Sequence, residues 1–166
     1  MRNEAVSRKR SKYRPKGVHL DTMAWVMSGI KPFAKVSEGT ILRIKNHDAL
    51  EKLRLGIAKK AELDVLIGSF NVMEGLLRLG YGLDYFQEIN DAQDALLAVA
   101  RRGVNKGRFI MTGPEMKAIN LGMEIHDAQL DACTVQDVEK AMDIVTECVV
   151  HKRARAIIER HENGAS

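Results

Sequence analysis

Apolar side chains recur at intervals of three and four residues through most of this chain, and this spacing constrains the fold more than any other feature. It places apolar groups on one face of an α-helix. Five such stripes follow one another from residue 50 to residue 149, and short segments separate them. Proline, which interrupts helices, occurs only three times in 166 residues. Because short connections place consecutive helices antiparallel, the sequence predicts an all-α, up-and-down helical bundle.

Capping residues set the bounds of the predicted helices. Thr112 and Glu115 form a capping box with a proline in the first turn, which is the strongest helix start in the chain. Gly103 is expected to end the preceding helix. The predicted helices run over about 46–57, behind an Asn46/Asp48 cap, and over about 61–79, 85–103, 112–133 and 134–161. A short sixth helix is predicted over about 21–29, where Trp25 would anchor it to the core.

Two glycines, Gly68 and Gly75, lie seven residues apart and therefore on one face of the predicted 61–79 helix. A glycine in the interior of a helix destabilises the helix by on the order of 1 kcal/mol relative to alanine. The sequence therefore predicts that a neighbouring helix approaches this face closely.

The segment from residue 31 to residue 45 permits two interpretations. Residues 40–45 are β-branched enough for a short strand, and residues 108–111 offer a partner strand. A helix that begins near Glu38 is the competing interpretation. The predicted fold class is therefore an all-α bundle of five or six helices with room for one short β pair.

Positive charge is concentrated at the N-terminus. Residues 1–16 carry seven basic side chains and one acid, a net charge of +6, whereas the whole chain has a net charge of +4. A segment so basic and so poor in apolar residues cannot bury enough surface to fold alone. We predict a disordered basic arm over residues 1–17 and a single helical domain over residues 18–166.

The arm and one further basic group are the candidate contacts with nucleic acid. Lysine and arginine neutralise phosphates, an aromatic ring stacks on bases, and flexible basic arms enter the DNA minor groove. The candidates are Arg8, Lys9, Arg10, Lys12, Tyr13, Arg14 and Lys16 in the arm, and Arg101, Arg102, Lys106 and Arg108 beside two glycines that can form an anion-binding nest. The alternatives are an arm that packs on an acidic protein or only solubilises the chain, and an ordinary helix end at the second group.

Two further features have more ordinary interpretations. A third basic group lies in the last predicted helix, where cations also complement the helix dipole. It consists of His151, Lys152, Arg153, Arg155 and Arg160. The 46–57 and 61–79 helices have the lengths of a helix-turn-helix motif, but the second is so apolar that we interpret it as a buried helix.

The sequence does not predict catalysis. Glu124, Asp127 and Asp131 share a helix face beside His126. Because His126 falls on the apolar seam, we expect a core histidine hydrogen-bonded to a neighbour, with the three acids on the solvated face. The Glu-x-x-His pattern of helical di-metal sites is missing from the sequence, as are hydrolase and kinase signatures. We therefore predict no enzyme, no metal and no cofactor; the alternative is an enzyme that uses the face of His126, Asp127 and Asp131.

Cysteine usage and hydropathy favour a cytoplasmic protein. Cys133 and Cys148 lack metal-ligand spacing and are expected to be reduced, buried thiols. The stretch that follows the basic start is too polar for a signal peptide. No apolar run approaches the roughly 18 residues that a membrane span needs, so no membrane partner is expected.

Four fragments of the chain carry a resemblance to a known family. They are residues 12–16 (KYRPK), 44–47 (IKNH), 113–116 (GPEM) and 126–131 (HDAQLD). In these fragments the chain resembles small, uncharacterised proteins carried by prophages and mobile elements of Gram-negative bacteria, and the likeness extends over nearly the whole chain. The resemblance brings no activity and no catalytic residue. It implies an accessory protein of the bacterial cytoplasm that regulates transcription or replication, or that blocks a host protein.

Two functional hypotheses follow. In the first, a phage or mobile-element accessory protein binds nucleic acid, DNA rather than RNA, through a basic arm on a helical bundle. In the second, the bundle surface binds and modulates a host or phage protein without catalysis. Wide apolar helix faces need covering, so the sequence also predicts a homodimer.

Overall fold

The computed structural model describes residues 31–35 and 37–151, and α-helices account for most of them. The helices are α1 (Ser37–Arg54), α2 (Lys60–Arg78), α3 (Phe86–Lys106), α4 (Gly113–Ala132) and α5 (Val135–Val150). Short 3-10 turns, Phe33–Lys35 and Leu83–Tyr85, precede α1 and α3. The predicted all-α bundle is confirmed over this part of the chain. The predicted arm, the 21–29 helix and the continuation of the last helix beyond residue 151 lie outside the described residues.

Helix α2 is the centre of the bundle, because it packs against each of the other four helices. Its apolar residues recur every three or four positions and are buried on several sides. They include Leu63, Leu66, Phe70, Met73, Leu76 and Leu77. Burying each such side chain contributes about 1.5–3 kcal/mol to folding. The interpretation of this helix as a buried helix is confirmed.

Two clusters of buried side chains form the core. The larger one joins α1, α2, α3 and α4 around Phe70. The smaller one attaches α5 to α2 through Leu76 and Ala141, and it takes in Phe33 from the chain before α1. The Phe33 N–H donates to the Cys133 carbonyl oxygen at 3.0 Å, which fastens the segment before α1 beside the start of α5.

The predicted β pair is wrong. Residues 40–45 belong to α1, which begins at Ser37, so the competing helix from near Glu38 is the correct interpretation. The β-branched Ile41 and Ile44 are exposed, and the buried residues have the spacing of a helix. Those buried residues are Gly39, Asn46, Ala49, Leu50 and Leu53. Residues 108–111 link α3 to α4 without a strand, and the part of the chain that the structure describes contains only an isolated bridge between Pro32 and Thr134.

Two predicted helix ends are also wrong. Asn46 is no cap, since it lies buried in the middle of α1. Gly103 does not end α3, which continues to Lys106 and is capped by Gly107 in the left-handed conformation, with φ of 68°. Gly103 serves packing instead, because a Cβ at this position would collide with the ring of Phe109.

The close helix contact predicted for the two glycines of α2 forms at one of them. A Cβ on Gly75 would lie 2.7 Å from the carbonyl oxygen of Ala141, so the crossing of α2 and α5 requires glycine there. Gly68 is exposed, and no atom lies within 4 Å of the place its Cβ would take. The expectation for Gly68 is therefore wrong, because no neighbouring helix covers this point of α2.

The capping box predicted at Thr112 forms, and a second capping box forms at Thr134. At the start of α4, the Thr112 N–H donates to Glu115 Oε2 at 2.8 Å. At the start of α5, the Thr134 N–H donates to Asp137 Oδ2 at 3.0 Å, and the Asp137 N–H donates back to Thr134 Oγ1 at 3.3 Å. Each box satisfies N–H groups that a helix start leaves without an intrahelical partner.

Candidate functional site

Three exposed cations surround the corner between α3 and α4. Arg101 and Lys106 lie in the last turns of α3, and Arg108 follows Gly107. No ion pair joins any of them to an acid within residues 31–35 and 37–151. Helix positions five residues apart differ by about 140° around the axis, so these cations ring the helix end and do not form a single stripe. We call Arg101, Lys106 and Arg108 the basic corner.

Arg102, the fourth predicted contact of this group, is engaged within the protein. Its guanidinium pairs with the Glu115 carboxylate through two bonds, Nη1 to Oε1 at 2.6 Å and Nη2 to Oε2 at 2.5 Å. Nη2 also donates to the Ile110 carbonyl oxygen at 3.1 Å. Hydrogen bonding to Arg102 lowers the pKa of Glu115 to about 2, so the pair stays ionised at neutral pH. Arg102 ties α3 to α4, and a contact with nucleic acid would have to compete with this ion pair.

The segment between α3 and α4 that contains Arg108 is held in place on both sides of this residue. Gly107 turns the chain at the end of α3 in the left-handed conformation that glycine adopts without strain. Phe109 then enters the core against Gly103. Arg108, which lies between these two anchors, is exposed. The basic corner therefore presents its charges on a fixed frame.

The basic corner contrasts with the charge of the residues around it. Residues 31–151 contain 15 basic and 18 acidic side chains, a net charge of −3. In α3 and the turn before it, the acidic side chains lie at the beginning and the basic side chains lie at the end. The acids are Asp84, Glu88, Asp91 and Asp94. This order complements the helix dipole, and it also concentrates positive charge at one end of the helix.

The remaining predicted contacts lie outside the described residues. They are Arg8, Lys9, Arg10, Lys12, Tyr13, Arg14 and Lys16. Of the third basic group the structure describes only His151, which is exposed and whose Nδ1 lies 2.9 Å from the Glu147 carbonyl oxygen. The structure thus brings Arg101, Lys106 and Arg108 to one end of α3, while the contribution of the arm stays a prediction.

Two of the three acids near His126 pair with α1, which corrects the prediction of a fully solvated acidic face, whereas Glu124 is exposed as predicted. Asp127 Oδ2 lies 2.7 Å from His47 Nε2, and Asp131 Oδ1 lies 2.6 Å from Arg43 Nη2. The same Arg43 nitrogen donates to the Asp127 carbonyl oxygen at 3.0 Å. These contacts fasten α1 to α4, so they serve the fold.

His126 lies in the core, as predicted, with Gln129 as a polar neighbour, but the two side chains do not meet in hydrogen-bond geometry. Its side chain is fully buried, and neither ring nitrogen has a partner in the described part of the chain. Burial lowers its pKa to about 4, so the ring is neutral at pH 7. Within the described ranges, no three His, Cys, Asp or Glu side chains are grouped so that they could hold a metal ion.

A groove that the sequence did not predict lies between α3 and α5, on the surface of α2. Its volume is about 210 Å³. Its apolar lining includes Ile67, Phe70, Leu96, Leu97, Val145 and Val149. Inside it, Arg78 Nη2 pairs with Glu74 Oε1 at 2.6 Å, and Arg78 Nη1 donates to Cys148 Sγ at 3.2 Å. We call it the α2–α3–α5 groove. The signal for it in the sequence is the apolar stripe of α5, which continues beyond the residues that pack on α2.

The two cysteines have different surroundings. Cys133 is buried, and desolvation raises the pKa of its thiol to about 11, which makes it a poor nucleophile. Cys148 is half-buried and lines the α2–α3–α5 groove. The prediction of buried, reduced thiols is therefore right for Cys133, whereas Cys148 is free but only partly covered.

Comparison of the chain with protein-family models, curated proteins and solved structures finds no match. The resemblance to prophage and mobile-element proteins therefore stays a prediction based on four sequence fragments. Within the described residues, no helix combines the length and the apolar character that crossing a bilayer requires.

Proposed function

We propose that the protein binds nucleic acid electrostatically, as a non-catalytic accessory or regulatory protein of a phage or mobile element. The basic corner is the observation that carries this proposal: three exposed cations lack an acidic partner in the described residues, although residues 31–151 are acidic as a whole. Cations that are free of internal ion pairs release the counterions of a phosphate backbone when they bind it. The fixed corner would set the position of the nucleic acid, and the predicted arm would add affinity.

The arrangement of the corner favours phosphates over base edges as the contacted groups. Arg101 and Lys106 ring the end of α3, whereas side chains that read bases project from one face of a helix or strand into a groove. Phosphate contacts carry no direct sequence information. We therefore expect sequence-independent affinity, with DNA as the ligand and RNA as the comparison.

The basic corner can be tested by fluorescence anisotropy on the full chain with labelled duplex DNA, single-stranded DNA and RNA at two salt concentrations. The variant replaces Arg101, Lys106 and Arg108 by alanine. Each phosphate contact contributes about −0.9 to the slope of log affinity against log salt on duplex DNA. Losing three contacts should therefore make the slope shallower by roughly 2 to 3, and binding at low salt should weaken.

A matched control removes the same charge elsewhere, by replacing the exposed Lys35, Lys45 and Lys59 with alanine. This control should bind nearly as well as the unmodified protein. Equal losses in the two triple variants would show that only net charge matters and that the corner is not the site. Absence of binding to all three probes at low salt would contradict the proposed function.

A second candidate function, binding of a host or phage protein without catalysis, is favoured by an apolar patch at the start of α3. Leu83, Tyr85 and Phe86 are 63%, 51% and 59% exposed. Large apolar side chains that adjoin one another in water are typical of contact surfaces, and the predicted homodimer would use such a surface as well. Salt-insensitive binding to a protein partner, lost in a Leu83→Ser/Phe86→Ser variant, would identify this function.

A further inference from the structure

The start of α3 presents the apolar patch of Leu83, Tyr85 and Phe86 in a stretch of the chain without positive charge. Residues 79–100 contain four acidic side chains and no Lys, Arg or His. Asp84 lies within the patch, and it is exposed without an ion pair in the part of the chain that the structure describes. The patch therefore fits a partner that offers apolar groups and cations together, because cations are attracted to carboxylates and to aromatic rings.

The other end of α3 offers this combination in the described bundle. Val104 and Ile110 are 53% and 51% exposed. Val104 lies about one helical turn after Arg101, and Ile110 lies two residues after Arg108 in the segment that leads to α4. The basic corner therefore presents two exposed apolar side chains among its cations, which form no ion pair with an acid within the described ranges.

The length of α3 keeps these two surfaces apart in a single molecule. The helix has 21 residues, from Phe86 to Lys106. At a rise of about 1.5 Å per residue it is about 31 Å long. The patch and the corner can therefore meet only when they belong to different copies of the chain. Each copy then uses a different surface in the contact, which leaves a free patch at one end of the pair and a free corner at the other, so further copies can add.

We propose that the protein associates head to tail, with the apolar patch of one copy on the basic corner of the next. The patch covers Val104 and Ile110, while the cations of the corner approach Asp84 and Glu88 at the start of α3. Because salt screens these opposite charges, the association weakens as the salt concentration increases. It does not depend on the proposed function, but it occupies the same cations, so a nucleic acid bound at the corner separates the copies.

Sedimentation velocity on the full chain without nucleic acid tests the association. The average sedimentation coefficient should increase with protein concentration beyond the value of a dimer, and it should decrease with salt. Two variants each remove one surface: Leu83→Ser/Phe86→Ser removes the patch, and replacement of Arg101, Lys106 and Arg108 by alanine removes the corner. Each variant alone should associate at least about tenfold more weakly, with circular dichroism to establish that it is folded.

Mixing the two variants distinguishes a head-to-tail contact from other modes of association. The patch variant keeps an intact corner and the corner variant keeps an intact patch, so an equimolar mixture should form a dimer that grows no further. The charge control, in which the exposed Lys35, Lys45 and Lys59 are replaced by alanine, should associate like the unmodified protein.

A mixture that stays monomeric would overturn the proposal, because the contact would then pair the same surface of both copies. A full chain that is monomeric at every concentration would overturn it as well, because the patch would then belong to a different partner. Since no nucleic acid is present in this experiment, its outcome is separate from the outcome that tests the proposed function.

Discussion

Arg101 and Arg102 are adjacent residues of the same type, and the structure gives them different roles. Arg101 is exposed without an ion pair in the described residues, whereas Arg102 is paired with Glu115 through two hydrogen bonds. Sequence analysis places both in one basic group, because the sequence shows only that both lie near the end of a predicted helix. The difference depends on Glu115, which comes close to Arg102 only when α3 and α4 pack side by side. Helical spacing was sufficient to place His126 in the core, but not to find its neighbours.

Removing the ionisable group of His126 should flatten the pH dependence of stability. The folded protein holds this pKa at about 4, below the value of about 6.5 for an unfolded chain. Between these values the unfolded chain binds a proton that the folded protein does not. The free energy of unfolding is therefore highest above pH 6.5 and falls as the pH decreases towards 4, with a loss of about 2 kcal/mol between pH 7 and pH 5. Urea denaturation at both pH values measures this loss.

The variant for this test is His126→Leu, which keeps an apolar group in the core without buried nitrogens. It should lose the pH dependence and be no less stable at pH 7, because unpartnered buried polar atoms destabilise a protein. His151→Gln, which replaces an exposed histidine, should keep the full decline. An undiminished decline in His126→Leu would assign the pH dependence to other groups.

The elements that the sequence predicts best are those with a long periodic apolar face, and a capping box fixes the start of a helix most closely. Helices α2, α3 and α4 begin and end within a few residues of the prediction, and the Thr112 and Thr134 boxes mark the starts of α4 and α5. Helix α1 was ambiguous because local strand propensity at residues 40–45 competed with a helical pattern of burial. The prediction of Gly103 as a cap is wrong because, in sequence, a glycine that makes room for an aromatic ring cannot be distinguished from one that ends a helix.

The two glycines of α2 give a matched pair of substitutions. Gly75→Ala should destabilise the protein by about 1–3 kcal/mol, because the new Cβ would press on the backbone of Ala141 at the crossing of α2 and α5. Gly68→Ala should stabilise it by up to about 1 kcal/mol, because alanine favours the helix and nothing lies nearby. Urea denaturation of both variants measures the difference. Equal effects would mean that helix propensity alone governs both positions.

At the scale of the whole molecule, the helical bundle can be predicted from the sequence. The shape of the α2–α3–α5 groove and the pairing of the cations at the basic corner cannot. Periodicity and capping are sufficient to predict a helical bundle with a buried α2, but not that α5 packs on α2 and not on its neighbour in sequence, α4. The α2–α3–α5 groove depends on how far apart α3 and α5 lie on α2, and no local pattern records that distance. The basic corner was visible as a run of cations, but which of them are unpaired depends on the packing of α3 on α4.

Deleting residues 1–16 should leave the fold intact and weaken binding to DNA. The described residues form their own core, so the melting temperature should not change. The deletion leaves residues 17–166 with a net charge of −2, so the affinity for duplex DNA should fall and the salt slope should become shallower by roughly 4 to 5 for five lost phosphate contacts. Thermal unfolding and anisotropy measure the two outcomes separately.

A full-length variant with the seven arm cations replaced by glutamine controls for the length of the chain. It should behave like the deletion in both measurements. A lower melting temperature after the deletion would instead show that the arm packs on the bundle, and unchanged DNA binding would contradict the role of the arm.

The opposed charges of α3 give the described bundle an electric dipole moment as well as a net charge. A body with a negative net charge and a positive end experiences a torque near a polyanion, and this torque turns the positive end towards it. The rest of the surface is repelled at the same time, since residues 31–151 carry a net charge of −3. The described bundle, taken apart from the residues on either side of it, would therefore meet a phosphate backbone in a restricted set of orientations, with the end of α3 leading. Salt would reduce this orientational bias over the same distances at which it reduces attraction.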